Sequence, residues 1–88
     1  MNMCEKIKII RKAEELTQKE FSEEAGLSIS AIKKYETGRR TPNGIELEKI
    51  TKSDRFKKYT LWLMTDEVAP EAGQISPEIE EQRKLSNG

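Results

Sequence analysis

Two helix-start patterns and two glycines, all between Thr17 and Gly38, constrain this chain more than any other feature. Thr17 and Glu20 have the spacing of a capping box, in which hydroxyl and carboxylate each satisfy a backbone N–H left free by the first helical turn. Gly26 ends that helix, because a left-handed residue after a helix is inexpensive only for glycine. Ser28 then stands where it caps a second helix, Ile29 to about Glu36, and Gly38 stops it the same way. Phe21, Ala25, Leu27, Ile32 and Tyr35 have the spacing by which two short, steeply crossed helices share one core.

Two helices joined by such a turn read as a helix-turn-helix, the alternative being a helix pair inside an unrelated small bundle. The outer face of the second helix carries Ser28, Ile29, Ser30, Lys33 and Lys34. In this motif the N-terminal residues of the second helix meet base edges in the major groove and its flanks meet phosphates. Serine bonds to any base, lysine reaches guanine acceptors or a phosphate, and Ile29 fits against a thymine methyl. The expected partner is therefore a double-stranded DNA operator, read by these five residues.

A net charge of zero looks wrong for a DNA binder until the chain is divided. Residues 1–65 carry 14 Lys/Arg against 10 Asp/Glu, whereas residues 66–88 carry 2 against 6. An acidic tail hides a basic domain. Lys33, Lys34, Arg39 and Arg40 adjoin the presumed groove helix, while the run from Lys49 to Lys58 reads more simply as a solvated charged face.

Other function classes lose support from composition. No apolar run approaches the roughly 20 residues needed to span a bilayer, and acid and base interrupt the N-terminal stretch where a secretory signal would be apolar. A cytoplasmic protein in a bacterial host cell is expected, with no membrane and no small-molecule ligand. Cys4 is the single cysteine and histidine is absent, so neither an internal disulfide nor an ordinary zinc set is available. No cofactor, metal or catalytic residue is expected, and the chain does not read as an enzyme.

The flanking segments complete an all-α expectation: a five-helix domain over residues 1–65 that binds DNA and dimerises, and a short acidic tail over 66–88. Met3, Ile7, Ile10, Ala13 and Leu16 recur at helical spacing and make a first helix, capped by Asn2. Arg39 to Gly44 form a basic loop beside the phosphate backbone, and a fourth helix runs through Ile45, Leu47 and Ile50. Ser53 or Asp54 starts a fifth helix, Arg55 to about Thr65, apolar around most of its circumference at Tyr59, Leu61, Trp62, Leu63 and Met64. That helix is either central to the core or the interface of a homodimer, and its aromatic and methionine content favours the dimer. In the tail, Gln74 to Ser76 reads as a short extended piece, and Ser76-Pro77-Glu78 as the start of a short helix to Lys84. The tail is a dimer clasp, a shield against stray DNA, or a mobile end.

Residues 6–50 resemble the helix-turn-helix family of lambda-type phage repressors, Cro proteins and restriction-modification controllers. The pattern is L-T-Q-x-E-x-x-x-x-A-G-L-S at 16–28 and Y-E-x-G-x-R-x-P at 35–42. The segment from Lys58 to Pro77, KYTLWLMTDEVAPEAGQISP, resembles the C immunity repressors of P-two-group temperate phages, the peduoviruses. The likeness covers nearly the whole chain and weakens in the recognition helix and after Pro77. It implies a lambda-repressor-like fold and a repressor that silences an early lytic promoter and maintains lysogeny. It also implies that Gln18 binds phosphate and braces the recognition helix, that Thr17, Arg39, Arg40 and Thr41 lie along the backbone, and that Arg11 and Glu36 form a structural ion pair.

The glutamine-rich recognition helix of lambdoid repressors is missing, so the operator sequence does not transfer. C repressors of this group use directly repeated half-sites, whereas a twofold dimer predicts a palindrome. The self-cleaving domain of larger repressors, and with it damage-triggered autoproteolysis, is not expected in 88 residues. Other functions compatible with the same motif are an antitoxin or restriction-modification controller autoregulating its operon, and a protein-interaction module.

Overall fold

The computed structural model describes residues 1–87, which form six α-helices and two 3-10 turns. In order these are α1 (Met3–Ala13), α2 (Gln18–Ala25), α3 (Ile29–Glu36), α4 (Gly44–Lys52), a turn over Lys57–Tyr59, α5 (Thr60–Thr65), a turn over Pro70–Ala72 and α6 (Pro77–Asn87). The expected all-α, lambda-repressor-like fold is present.

Local chemistry sets most helix ends. Asn2 accepts from the Glu5 N–H at 2.9 Å, and the Thr17–Glu20 capping box closes in both directions at 3.1 and 2.8 Å. Gly26 and Gly38 take φ of 70° and 74°. A second capping box, Asn43 with Glu46, starts α4, although the sequence reading assigned Asn43 only to a turn. The end of α1 is less orthodox. Glu15, at φ 57°, takes the left-handed position usually given to glycine, and the Leu16 N–H bonds back to the Arg11 carbonyl at 3.1 Å. Leu16 thus lies beyond α1 rather than on its stripe, while its side chain still packs on the core.

The core joins Ile7 and Ile10 of α1 to Phe21, Ile32, Tyr35 and Ile50, all fully buried. Phe56 stacks on Phe21 with ring centroids 4.4 Å apart. Ile45 lies on the expected fourth helix but is 71% exposed and outside the core. One expectation requires correction. The fifth helix does not run from Arg55: a 3-10 turn precedes it, and α5 proper has six residues. Residues three apart eclipse in a 3-10 turn, so Phe56 and Tyr59 point into the core together.

α5 is short, and α1 supplies its C-terminal partner. The Lys6 ammonium, buried on α1, donates to the carbonyls of Trp62 and Leu63 at 3.0 and 3.2 Å and pairs with Asp66 at 2.6 Å. A cation at a helix C-terminus meets the negative end of the macrodipole. It also satisfies the Leu63 carbonyl, which the last turn leaves free, while the Trp62 carbonyl accepts from the Asp66 N–H as well.

Composition changes at residue 66, but packing does not. Ile75 belongs to the same core as Ile7, and its N–H donates to the Lys58 carbonyl at 2.8 Å. The short extended piece expected at Gln74–Ser76 is present as one antiparallel bridge between Ala69 and Gln74. Ser76 accepts from the Ile79 N–H at 3.2 Å at the start of α6, which runs past Lys84 and packs on α1 through Lys84 donating to the Ala13 carbonyl.

The hub of this arrangement is Glu14, buried just after α1. Its carboxylate accepts from the Tyr59 hydroxyl at 2.6 Å, from Arg55 Nε at 2.9 Å and from Lys58 Nζ at 3.0 Å. Lys58 also reaches Glu80 of α6 at 2.9 Å.

Candidate nucleic-acid interface

α3 is short, and its inner face is consumed by the core through Ala31, Ile32 and Tyr35. What remains outside is Ser28, Ile29, Ser30, Lys33 and Lys34, all exposed. Ser28 Oγ accepts from the Ala31 N–H at 3.0 Å, which leaves its hydroxyl proton free to donate outward. Ile29 is 40% exposed. Ile29, Ser30, Lys33, Lys34, Thr37 and Arg39 line a shallow groove of about 370 Å³. Thr37 was missed from sequence: its hydroxyl bonds to the Lys33 carbonyl at 3.0 Å, which keeps it on this face at the end of α3.

Charge pairing separates the basic residues into two groups. Lys52 pairs with Glu48, Lys57 with Asp54, and Arg55 and Lys58 with Glu14. Most of the cationic run from Lys49 to Lys58 is thereby matched to carboxylates of the same chain. Lys33, Lys34 and Arg39 form no ion pair among the described residues. Three of the unmatched cations thus sit together on and beside the outer face of α3.

α3 is held from behind by a three-residue bond network. Arg11 meets Glu36 through two parallel bonds, Nε to Oε2 at 2.6 Å and a second guanidinium nitrogen to Oε1 at 2.9 Å. A planar fork on a carboxylate fixes orientation as well as distance. Arg11 also donates to the Leu16 carbonyl at 2.9 Å, and the Gln18 amide donates to Glu36 at 3.2 Å. α1, the start of α2 and the end of α3 are therefore tied at one carboxylate. Burial alone would raise the Glu36 pKa, but the bonds from Arg11 and Gln18 outweigh it and hold the carboxyl below its ordinary range. Thr17 is exposed and spends its hydroxyl oxygen on the capping box.

In the loop after α3 the two arginines differ. Arg39 is exposed and lines the groove. Arg40 instead bonds to Glu46 and lies over the Tyr35 ring, 5.5 Å from its centroid. Thr41 is exposed between Arg40 and the buried Pro42. Burial, with the Glu46 carboxylate nearby, pushes the Tyr35 hydroxyl up to about 12.

The residues expected at a dimer interface fall on both sides of α5. Tyr59 and Leu63 are buried within the chain's own core, which leaves their side chains nothing to present to a partner. Leu61 and Trp62 are half-buried and Met64 is 52% exposed. Trp62 lines a groove with Met1, Ile9 and Val68, whereas Leu61 borders the turn at 69–74.

A helix-turn-helix family model matches residues 7–53, which span the whole of α1 to α4 apart from the first turn of α1. The chain belongs to the helix-turn-helix family. Within that family it is similar to Repressor protein C of Escherichia phage P2, at 40% identity over 77 residues, or 88% of this chain and 78% of the relative. The likeness therefore extends beyond the helix-turn-helix model into α5 and the tail. Among the described residues no group of His, Cys, Asp and Glu is arranged to hold a metal, and no helix is long and apolar enough to cross a membrane.

Proposed function

We propose that this chain is a sequence-specific DNA-binding transcriptional repressor of the temperate-phage kind, silencing an early lytic promoter and thereby maintaining lysogeny. The observation that carries the reading is the face made by Ser28, Ile29, Ser30, Lys33 and Lys34, exposed and free of internal ion pairs on a helix whose other side is locked into the core. Likeness to a phage repressor over most of the chain supports the biological role.

In this mechanism α3 lies in a major groove, its first turn against base edges, while Arg39, Thr41 and the N-terminal end of α2 at Thr17 and Gln18 follow the backbone. Occupying a promoter excludes polymerase. The acting species is a homodimer joined through the outer side of α5 at Leu61, Trp62 and Met64. The exposed apolar atoms there support that choice. Trp62→Ala is expected to shift the monomer–dimer equilibrium in sedimentation, and an unchanged dimer would reject the interface. Phosphate contacts from two subunits, about 4 to 8 in all, give a log-log salt slope of roughly −4 to −7.

A duplex selected by the chain from a random-sequence pool, titrated against a scrambled duplex at two salt concentrations, tests the reading. A preferential, steeply salt-dependent complex supports it. Equal binding of both duplexes, or none, would favour a protein-interaction module.

A further inference from the structure

Arg40 has the charge of a phosphate ligand, but its surroundings give it different work. Its guanidinium bonds to Glu46 Oε2 and lies over the Tyr35 ring. Glu46 uses its other oxygen, Oε1, to accept the Asn43 N–H at 2.9 Å, and its own N–H donates to Asn43 Oδ1 at 2.8 Å. The Arg40 carbonyl accepts from Cys4 Sγ of α1 at 3.4 Å. The loop from Arg39 to Asn43 is therefore fastened at three places: to α3 through Tyr35, to α4 through Glu46, and to α1 through Cys4. Arg39 and Thr41 flank Arg40 and are exposed.

We infer that Arg40, Glu46 and Tyr35 form a clamp that positions the Arg39–Thr41 loop against the DNA backbone, so that Arg40 is a positioning residue and not a phosphate ligand. The inference rests on the DNA-binding function proposed above. The geometry favours the clamp because the Glu46 side chain is only 13% exposed while Arg40 is 38% exposed. Withdrawing Arg40 to a phosphate would leave a mostly covered carboxylate without its cation. A planar guanidinium can lie on a ring face and present several directional N–H donors to a carboxylate at once, a geometry that the compact ammonium of lysine matches in charge but not in shape.

The two roles predict opposite signs for Glu46→Gln. Glutamine retains the capping-box geometry at this position, so α4 is expected to form. If Arg40 were a phosphate ligand restrained by Glu46, removing the negative charge would release it and tighten DNA binding. The clamp predicts that affinity for a duplex selected by the wild-type chain from a random pool falls by about tenfold, with the melting temperature little changed. Arg40→Lys supplies an independent arm that leaves Glu46 intact. The clamp predicts a similar loss although the charge is kept, whereas a phosphate ligand predicts near-wild-type binding. Arg40→Ala should lower affinity without changing the salt slope, while Arg39→Ala should make the slope shallower by about one per bound subunit. Tighter binding by Glu46→Gln, wild-type binding by Arg40→Lys, or a shallower slope for Arg40→Ala would each overturn the clamp. Failure of the wild-type chain to select any duplex would instead sink the DNA-binding function itself.

Discussion

The Tyr59 hydroxyl donates to Glu14 Oε2 at 2.6 Å across 45 residues of sequence. That bond joins the end of α1 to the turn before α5, and through Lys58 and Glu80 it extends to α6. Deleting the carboxylate leaves a buried hydroxyl without its acceptor, Arg55 with only the Glu14 main-chain carbonyl and Lys58 with only Glu80. Glu14→Ala should therefore destabilise the fold by about 2 to 3 kcal/mol, less than a fully buried pair because Arg55 and Lys58 keep partial access to water. Glu14→Gln, which still accepts one bond from Tyr59, should cost about half as much. Urea unfolding of both variants checks the order; a Glu14→Ala chain as stable as wild type would remove the hub from the account.

Acid should destabilise the protein through Glu14 and Glu36. Burial acts to raise both pKa values, but the bonds from Tyr59, Lys58 and Arg55 at Glu14, and from Arg11 and Gln18 at Glu36, bring the net shift below the ordinary range. The unfolded chain then binds more protons than the folded one in acid. Stability from these groups is complete well above the unfolded carboxylate pKa of about 4.3 and is lost as pH falls through the lower folded values. Thermal unfolding between pH 7 and pH 2 should show this loss, and a melting temperature that rises below pH 4 would contradict it.

Alkali offers a complementary test on the two tyrosines of the chain. Burial, with Glu46 nearby, places Tyr35 at about 12. Tyr59 is pushed higher still by burial and by its bond to Glu14. Neither should ionise near the free-tyrosine value of about 10. Ultraviolet titration of the native chain should show no tyrosinate at pH 10, with absorbance appearing only on approach to pH 12 or on unfolding. Either tyrosine titrating at pH 10 would mean that its hydroxyl meets water.

Glu15 carries avoidable backbone strain. It adopts φ 57° after α1, a region that costs a non-glycine residue about 1 kcal/mol or more. Among the described residues its only ion pair is with Lys84 at 3.5 Å, from a side chain 80% exposed, so little is lost on substitution. Glu15→Gly is expected to raise stability by about 0.5 to 1 kcal/mol, net of the glycine's greater unfolded-state entropy. A decrease in denaturant midpoint would show that the Glu15–Lys84 contact matters more than the strain.

The features legible in the sequence are those set by neighbours along the chain. Thr17 with Glu20, Gly26, Ser28 and Gly38 each act within a few residues, and their pattern placed α2 and α3 and exposed the outer face of α3. Ser76-Pro77 marked α6 for the same reason. What periodicity could not reveal were contacts between distant segments. Glu14 meets Arg55, Lys58 and Tyr59 more than 40 positions away, so a basic run that resembled a solvated face contains two cations of a structural network. A 3-10 turn over Lys57–Tyr59 replaces the first turns of the helix expected from Arg55, a change that apolar spacing alone does not signal. Glu15 ends α1 without the glycine that would have marked the stop. Arg40 looked equivalent to Arg39 until Tyr35 and Glu46 closed around it.

The central claim is that the outer face of α3 reads base sequence, and binding-site selection with the wild-type chain, Lys33→Ala and Lys34→Ala tests it most directly. The wild-type chain should recover a defined motif from a random duplex pool. Each alanine variant should bind that motif about tenfold more weakly, with relaxed preference at one or more positions where the side chain reads a base. If both variants recovered the same motif at wild-type affinity, the face formed by Ser28, Ile29, Ser30, Lys33 and Lys34 would not be the reading surface.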